Sequence, residues 1–434
     1  MTEAGAPLDS LSAAGPVARS SVARVGIATV ITAVCGYAVL YLAARDLGPA
    51  GFAVFGVFWG AFGLVTGAAN GLLQEATREV RAASRPSDTM NPLDTMKRAP
   101  DAPRTRPMRV AAGVGIAAAA VIAATSPLWA PHVFAESRAL SVLLLAVGLA
   151  GFCLHATLLG MLAGAGRWTQ YGSLMVTDAV IRVMVAAMAF LLGWGLAGFL
   201  WATVAGALAW LLLLAVSATV RTAASVQTAG GVATFLRGAG HSIAAAGASA
   251  VLVMGFPVLL KATSGELGAE GGVVILAVTL TRAGLLVPLT AMQGNLIAHF
   301  VDTRAARLRA LLAPAAVIGV VGALGVLAAG LVGPWLMRVA FGAQYQTSGA
   351  LLAWLTAGAV SIALLTLTGA ATVAAALHRA YSLGWVGATA AAAVLLMLPF
   401  ELQTRTVVAL LCGPLVGIAV HLWALSRAGT GSAK

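Results

Sequence analysis

Residues 273–300, VVILAVTLTRAGLLVPLTAMQGNLIAHF, decide how this chain is read. The stretch is apolar and long enough to cross a bilayer, whose hydrocarbon core takes about 20 residues of helix. Arg282 stands near its middle. An ionised side chain at that depth costs about 2.5–3.5 kcal/mol on insertion scales, so it belongs to a bundle interior, a water-filled cavity or a ligand. What surrounds Arg282 is therefore the question the rest of the chain has to answer.

The rest of the chain is of the same kind. Of its 434 residues 60% are hydrophobic and 9% charged, with a mean hydropathy of +0.95. A soluble protein of this length needs far more charge to cover its surface. The fold class that follows is an all-α polytopic membrane protein. Its small residues allow the close helix packing that drives association in lipid. The net charge of +12 does not point to nucleic acid. The basic residues sit in short connections between apolar spans, where they set orientation. Cys35, Cys153 and Cys412 all fall within spans and read as packing residues. The six histidines show no metal-ligand spacing, and no P-loop, HExxH or GxSxG appears, so neither a metal, a cofactor nor enzyme activity is expected. The first span, 25–44, is too long for a cleaved signal core.

Hydropathy predicts twelve helices, near 22–43, 52–74, 110–130, 140–162, 172–193, 196–217, 241–261, 273–297, 311–332, 350–376, 384–398 and 407–425. Nineteen of the 26 Lys and Arg residues fall in connections on one side and five on the other, with Arg182 and Arg282 inside spans. This bias predicts cytoplasmic termini in a cell (inner or plasma) membrane. The expected organisation is a polar N-terminus, 1–20, an N-lobe, 21–220, and a linker, 221–240. A C-lobe, 241–426, and a short tail, 427–434, follow. The N-lobe carries a basic loop, 75–109, read mainly as a topology signal and secondarily as a contact for anionic membrane lipids.

The two halves repeat. Asp46-Leu47-Gly48 with Gly51 recurs as Glu266-Leu267-Gly268 with Gly271, 220 residues later. Pro127-Leu128-Trp129 with Phe134 recurs as Pro334-Trp335-Leu336 with Phe341, 207 later. Arg167 with Tyr171 recurs as Arg379 with Tyr381. Six helices per half is an even number, so the repeats are parallel, with a pseudo-two-fold axis along the membrane normal and a cavity between lobes. At the offset of 220, Arg282 aligns with Phe62 and so falls outside the duplicated pattern.

Several residues could carry chemistry. Gly56, Gly60, Gly63, Gly67 and Gly71 lie on one helical face, as a close helix contact or as a thin wall along a substrate path. Asn70 and Gln74 flank that stripe. Asp178 and Arg182 stand at i,i+4 and can pair, either structurally or as a cavity-lining pair that opens to a charged substrate. Arg282 has no acid in its own span. Its candidate partners are Asp178, backbone carbonyls or an anionic ligand. Pro288 is expected to kink the helix, and Gln293 and Asn295 extend its polar character. Arg24 and Arg78 read as topology signals or as the rim of a cationic cavity.

Residues 43–56 (AARDLGPAGFAVFG), residues 334–355 (PWLMRVAFGAQYQTSGALLAWL), and Gly166-Arg167 with Tyr171 resemble the multidrug/oligosaccharidyl-lipid/polysaccharide (MOP) exporter superfamily. The likeness is nearest to the bacterial polysaccharide-biosynthesis flippases of the O-antigen type. The resemblance implies a two-lobed, alternating-access transporter of a lipid-linked anionic glycan, working beside glycan-assembly enzymes. Lipid II flippases of the superfamily carry two further C-terminal helices, and the multidrug and toxin extrusion (MATE) branch often places an acid in helix 1. Residues 25–44 contain none. A cation-coupled multidrug exporter and a non-transporting scaffold of a glycan-assembly complex are the alternative expectations.

Overall fold

The computed structural model describes residues 19–83, 104–302 and 307–430. Ten of its helices are long and apolar enough to cross a membrane. Two features bring the spans to twelve. Arg19–Ala83 is a 65-residue helical run broken at Gly48. At about 1.5 Å per residue it would extend about 100 Å if straight, far beyond a hydrocarbon core of about 30 Å. It therefore comprises α1 (19–47) and α2 (49–83). Next, Val232–Val253 meets Phe256–Ser264 at 61° and the pair forms one broken span, α7. The others are α3 (Pro107–Val133), α4 (Arg138–Gly164), α5 (Trp168–Leu192), α6 (Gly195–Val216), α8 (Gly268–Asp302), α9 (Leu312–Leu331), α10 (Gly349–Ala374), α11 (His378–Leu396) and α12 (Leu402–Thr430).

The helices differ from expectation in three places. Helix α2 runs on to Ala83, so Glu75 and Arg78 are helical rather than part of a loop. Most of the basic loop, 84–103, lies outside the described residues. Helix α7 begins at Val232, inside the stretch expected as linker, which also holds a short helix, Ala218–Ala224. In that stretch Thr228–Ala229 pairs antiparallel with Arg104–Thr105, a two-residue ladder and the one strand pairing among the described residues. Helix α6 is interrupted by a 3₁₀ turn, Gly206–Leu208.

The duplication is written into the backbone. Gly48 (φ 64°) and Gly268 (φ 54°) both adopt the left-handed region at the same point of the repeat. Gly166 (φ 68°) and Ala376 (φ 59°), 210 residues apart, do the same after α4 and α10. Glycine reaches that conformation without the Cβ clash that strains Ala376. Phe134 and Phe341, the pair 207 apart, are both buried.

An aromatic core closes the bundle on the side opposite the termini. Phe52, Phe55 and Phe199 pack ring to ring, and Phe341 packs on Tyr345. Tyr345 also meets Phe52 edge-on at 6.4 Å, and its hydroxyl donates to the Ala44 carbonyl at 2.8 Å, joining the C-lobe to α1. Burial raises the Tyr345 phenol from its ordinary value, so it remains a donor at any physiological pH.

The lobes meet along the glycine stripe of α2. A Cβ at Gly56 would lie 2.7 Å from Ile275 of α8, one at Gly60 3.0 Å from Pro257, and one at Gly67 2.7 Å from Ala250 of α7. At Gly71 it would collide with the backbone of Ile243. The stripe is thus a close contact between lobes, possible only because five side chains are missing.

Gly71→Ala is expected to force α2 from α7 and to destabilise the protein by about 1–3 kcal/mol, the usual penalty of overpacking. Gly113→Ala, which has open space around it, is the neutral control. Thermal melting of the purified protein in detergent distinguishes the two.

Candidate functional site

The break in α7 creates the setting for Arg282. Pro257 has no backbone N–H and sits in the first turn of the segment after the bend. The first segment ends when Met254 and Gly255 both donate to the Ala250 carbonyl, which leaves the last carbonyls without helical partners. Arg282 of α8 fills that gap. Its Nη1 donates to the Val253 carbonyl at 2.9 Å and lies 3.4 Å from that of Leu252. A cation at a helix C-terminus is also favoured by the helix dipole. The guanidinium carbon lies 5.1 Å from the centre of the Phe256 ring, a cation–π contact. Tyr37 of α1 brings its phenol within electrostatic reach.

This arrangement does not saturate Arg282. The residue is 8% exposed, yet Nε and Nη2 have no hydrogen-bond partner among the described residues. A buried donor left unpaired costs about 1–3 kcal/mol, more for a charged group. Two adjacent N–H groups on one edge of a guanidinium form a fork that matches a carboxylate or phosphate.

A second polar node lies inside the N-lobe. Arg182 Nη2 and Nε donate to Asp178 Oδ1 at 3.0 and 3.2 Å, along one turn of α5. The interruption of α6 makes room for the pair: a Cβ at Gly206 would collide with Asp178 Oδ1. The Arg182 guanidinium also lies 5.6 Å from the centre of the Phe62 ring on α2. His155 of α4 sits within the field of both charges, stacked on Phe152, and its Nδ1 has no partner among the described residues.

A third node caps the seam on the side of the termini. The Glu75 carboxylate is buried against Gly238 of α7, where a Cβ would strike it. It accepts from Arg78 at 2.6 Å, and His241 of α7 lies in its field.

Of the residues expected to form a site, the structure brings Asp178 and Arg182 together. Arg282 lies apart from that pair, on the α7 break. Arg24 donates to Thr169 at 3.1 Å, and Arg78 also bonds Glu79. Both contacts stay inside the N-lobe at the termini side. Asn70 is half-buried beside Gly71 on the seam. Gln293 and Asn295 lie in α8, but their side chains fall outside the described residues. A cavity of about 410 Å³ between α8, α9 and α10 is lined by apolar residues such as Leu285, Val321, Ala329 and Leu336. Arg282 is not among its lining residues. The sequence reading missed Glu75, His155, Gly206 and Phe256. Only Phe256 had a usable signal, the Gly255-Phe256-Pro257 breaker.

No family model matches the chain. It is 69% identical over 431 residues to the uncharacterized protein Rv3630 of Mycobacterium tuberculosis, with 98% of each chain covered. A second protein of that organism, Rv1510, is 66% identical over 427 residues, covering 98% of this chain and 96% of its own. The fold is similar to an inward-facing multidrug resistance MATE family transporter of the MOP superfamily. The TM-score is 0.69 at 15% identity, over 94% of this chain and 99% of the other. The outward-facing conformation of such a transporter scores 0.63 at 14% identity, over 94% and 96%. A MOP superfamily transporter from Pyrococcus furiosus, described as having a binding pocket of reverse polarity, scores 0.60 at 13% identity, over 94% and 96%.

For the N-lobe pair, Asp178→Leu or Arg182→Met alone strands a mostly buried charge and should cost about 3–5 kcal/mol. The double variant should recover most of that loss. Melting temperatures of the four proteins give the coupling, and additive losses would show that the two side chains act separately.

Proposed function

This chain belongs to one family with Rv3630 and Rv1510 of Mycobacterium tuberculosis, and from the geometry above we propose that it exports a lipid-linked anionic glycan precursor by alternating access. The observation that carries this reading is Arg282, a buried cation in the middle of a span with two unspent donors. A pyrophosphate or an acidic sugar supplies the acceptor oxygens that fork lacks. Arg182 is a second cation, held by Asp178 while no substrate is present and able to exchange that carboxylate for an anionic group. Asn70, half-buried on the seam, is a further polar group that a substrate crossing between the lobes would meet. The likeness of residues 43–56 and 334–355 to O-antigen-type flippases supports the same substrate class. A P. furiosus transporter with a similar fold is likewise described as having a binding pocket of reverse polarity.

The two lobes rock about the glycine seam, where α2 and α7 approach too closely for side chains to interlock. In the inner or plasma membrane, with both termini cytoplasmic, such rocking would carry the polar head from one leaflet to the other. The lipid tail stays in the bilayer. Glycan-assembly enzymes are the partners this role requires.

A second reading, a cation-coupled multidrug exporter, is favoured by the fold, which matches MATE transporters. The site is a poor one for a cationic drug, because Arg282 and Arg182 would repel it and the acids Asp178 and Glu75 are each engaged by an arginine.

Reconstituted vesicles containing a fluorescent polyprenyl-pyrophosphate oligosaccharide test the proposal. The wild-type protein should move the lipid between leaflets. Arg282→Gln should lose at least about tenfold in rate, consistent with a charged hydrogen bond of about 1.5–3 kcal/mol. Arg282→Lys should retain only part of it, because an ammonium lacks the fork. Full activity in Arg282→Gln removes the proposed role. Gradient-dependent efflux of a cationic dye, without lipid movement, replaces the proposal with the second reading.

A further inference from the structure

The apolar cavity beside α8 is left by the way α9 packs. Glycines of α9 bring it against α10: a Cβ at Gly322 would lie 2.5 Å from Val360, and one at Gly330 3.5 Å from Ala353. Toward α8 there is no such approach, and a Cβ at Gly284 would meet nothing within 4 Å. The space between the two helices is floored by Leu352 and Thr356 of α10. Val321, Val332 and Leu336 on its rim are exposed. Exposed apolar side chains of a membrane span meet lipid tails, which are as apolar as leucine. The cavity is therefore a groove open to the bilayer.

The groove ends at a short helix, Gly333–Phe341, which follows α9 on the side opposite the termini. One face of that helix, Gly333, Met337 and Phe341, lines the groove. A neighbouring face, Pro334 and Arg338, lines a second, polar cavity of about 370 Å³ with Gln346, Thr347, Ser348 and Gln403. Both sets repeat every four residues, the spacing of one helical face, so the two cavities share this helix as a common wall. Arg338 is the one charged residue lining the polar cavity. Its guanidinium is exposed and has no hydrogen-bond or ion-pair partner among the described residues. The Thr347 hydroxyl oxygen in the same cavity is buried, again with no partner among them. Gln403 donates to the Glu270 carboxylate at 3.2 Å, but that acid is not a lining residue. Trp335 of the short helix is exposed. Tryptophan gathers at the membrane–water boundary, the level of lipid headgroups.

We propose that this seat binds an anionic phospholipid of the leaflet opposite the termini, with its phosphate in the polar cavity and one acyl chain in the groove. Arg338 offers a fork of N–H donors to the phosphate oxygens, and the Thr347 hydroxyl donates to a further acceptor. No carboxylate lines the cavity to meet the ammonium of a zwitterionic headgroup, which selects the anionic class. The chain gains little by leaving other chains, because groove and bilayer are equally apolar. Selectivity therefore comes from the headgroup, and the groove fixes where the chain lies. Thr281 and Leu285 of α8 touch the groove, while Arg282 between them turns to the α7 break. The lipid lies on another face of α8 from the buried arginine and is distinct from the anionic ligand proposed there.

Native mass spectrometry of the full chain in a neutral detergent, stripped of bound lipid, tests this with dioleoyl phosphatidylglycerol and dioleoyl phosphatidylcholine as probes. No glycan is present, so the result is separate from the export reading. The first molecule of the anionic lipid should bind at least about fivefold more tightly than the first of the zwitterionic lipid, the worth of one arginine at a membrane surface. Arg338→Gln should lose that preference. Arg138→Gln, which removes an exposed arginine on the same side of the molecule, should keep it. Gly284→Leu puts a side chain into the groove at a position where leucine favours helix over glycine, and should weaken binding of the anionic lipid. Glycerol phosphate, a headgroup without a tail, should not displace that lipid at equal concentration. Equal affinity for the two lipids, or a preference that persists in Arg338→Gln, overturns the proposal. Unchanged binding in Gly284→Leu, or displacement by glycerol phosphate, also overturns it, because the phosphate would then be held without the chain.

Discussion

The structure depends on how one charged side chain is accommodated inside the membrane. Arg282 is placed where α7 breaks, and the break and the arginine require each other. The break frees carbonyls that lipid cannot satisfy, at several kcal/mol each. A guanidinium in a span needs acceptors that an intact helix does not offer. Each supplies what the other lacks, with Phe256 adding a ring face. The match is incomplete, and its unfilled part, Nε and Nη2, is the feature that points to an anionic ligand.

Around that point the molecule is organised by absence as much as by contact. Five glycines of α2 let α7 and α8 pack against its backbone, Gly206 admits the Asp178–Arg182 pair, and Gly384 of α11 admits His421 of α12. Small residues at these positions leave voids in which polar groups can be buried without displacing neighbouring helices. The polar nodes then occupy separate places: the seam, the N-lobe and the C-lobe. They are linked through α2 and α7, the two helices that meet at the seam.

Much of this was legible in the sequence, for definite reasons. Span number, the two lobes and the glycine face follow from hydropathy, parity and a helical period. The repeat was visible at Gly48 and Gly268, because a left-handed residue between antiparallel helices favours glycine. The same position after α10 is held by Ala376, so sequence alone did not mark its equivalence to Gly166. The placement of Arg282 was not legible, because its acceptors are backbone carbonyls 29 and 30 residues away, which leave no trace in side-chain type. Glu75 was read as a loop residue because α2 continues past its apolar stretch. His155 and His421 looked scattered because their partners are a ring, a hydroxyl and a carbonyl rather than further ligands.

The account turns on whether Arg282 holds an anion. Native mass spectrometry of wild-type protein and Arg282→Gln, each extracted from its own membrane and released at matched energy, measures this most directly. The account predicts that the wild-type protein retains an anionic polyprenyl-linked species that the variant has lost. Equal retention of that species by both proteins, or retention of neutral and zwitterionic lipids alone by the wild type, would contradict it.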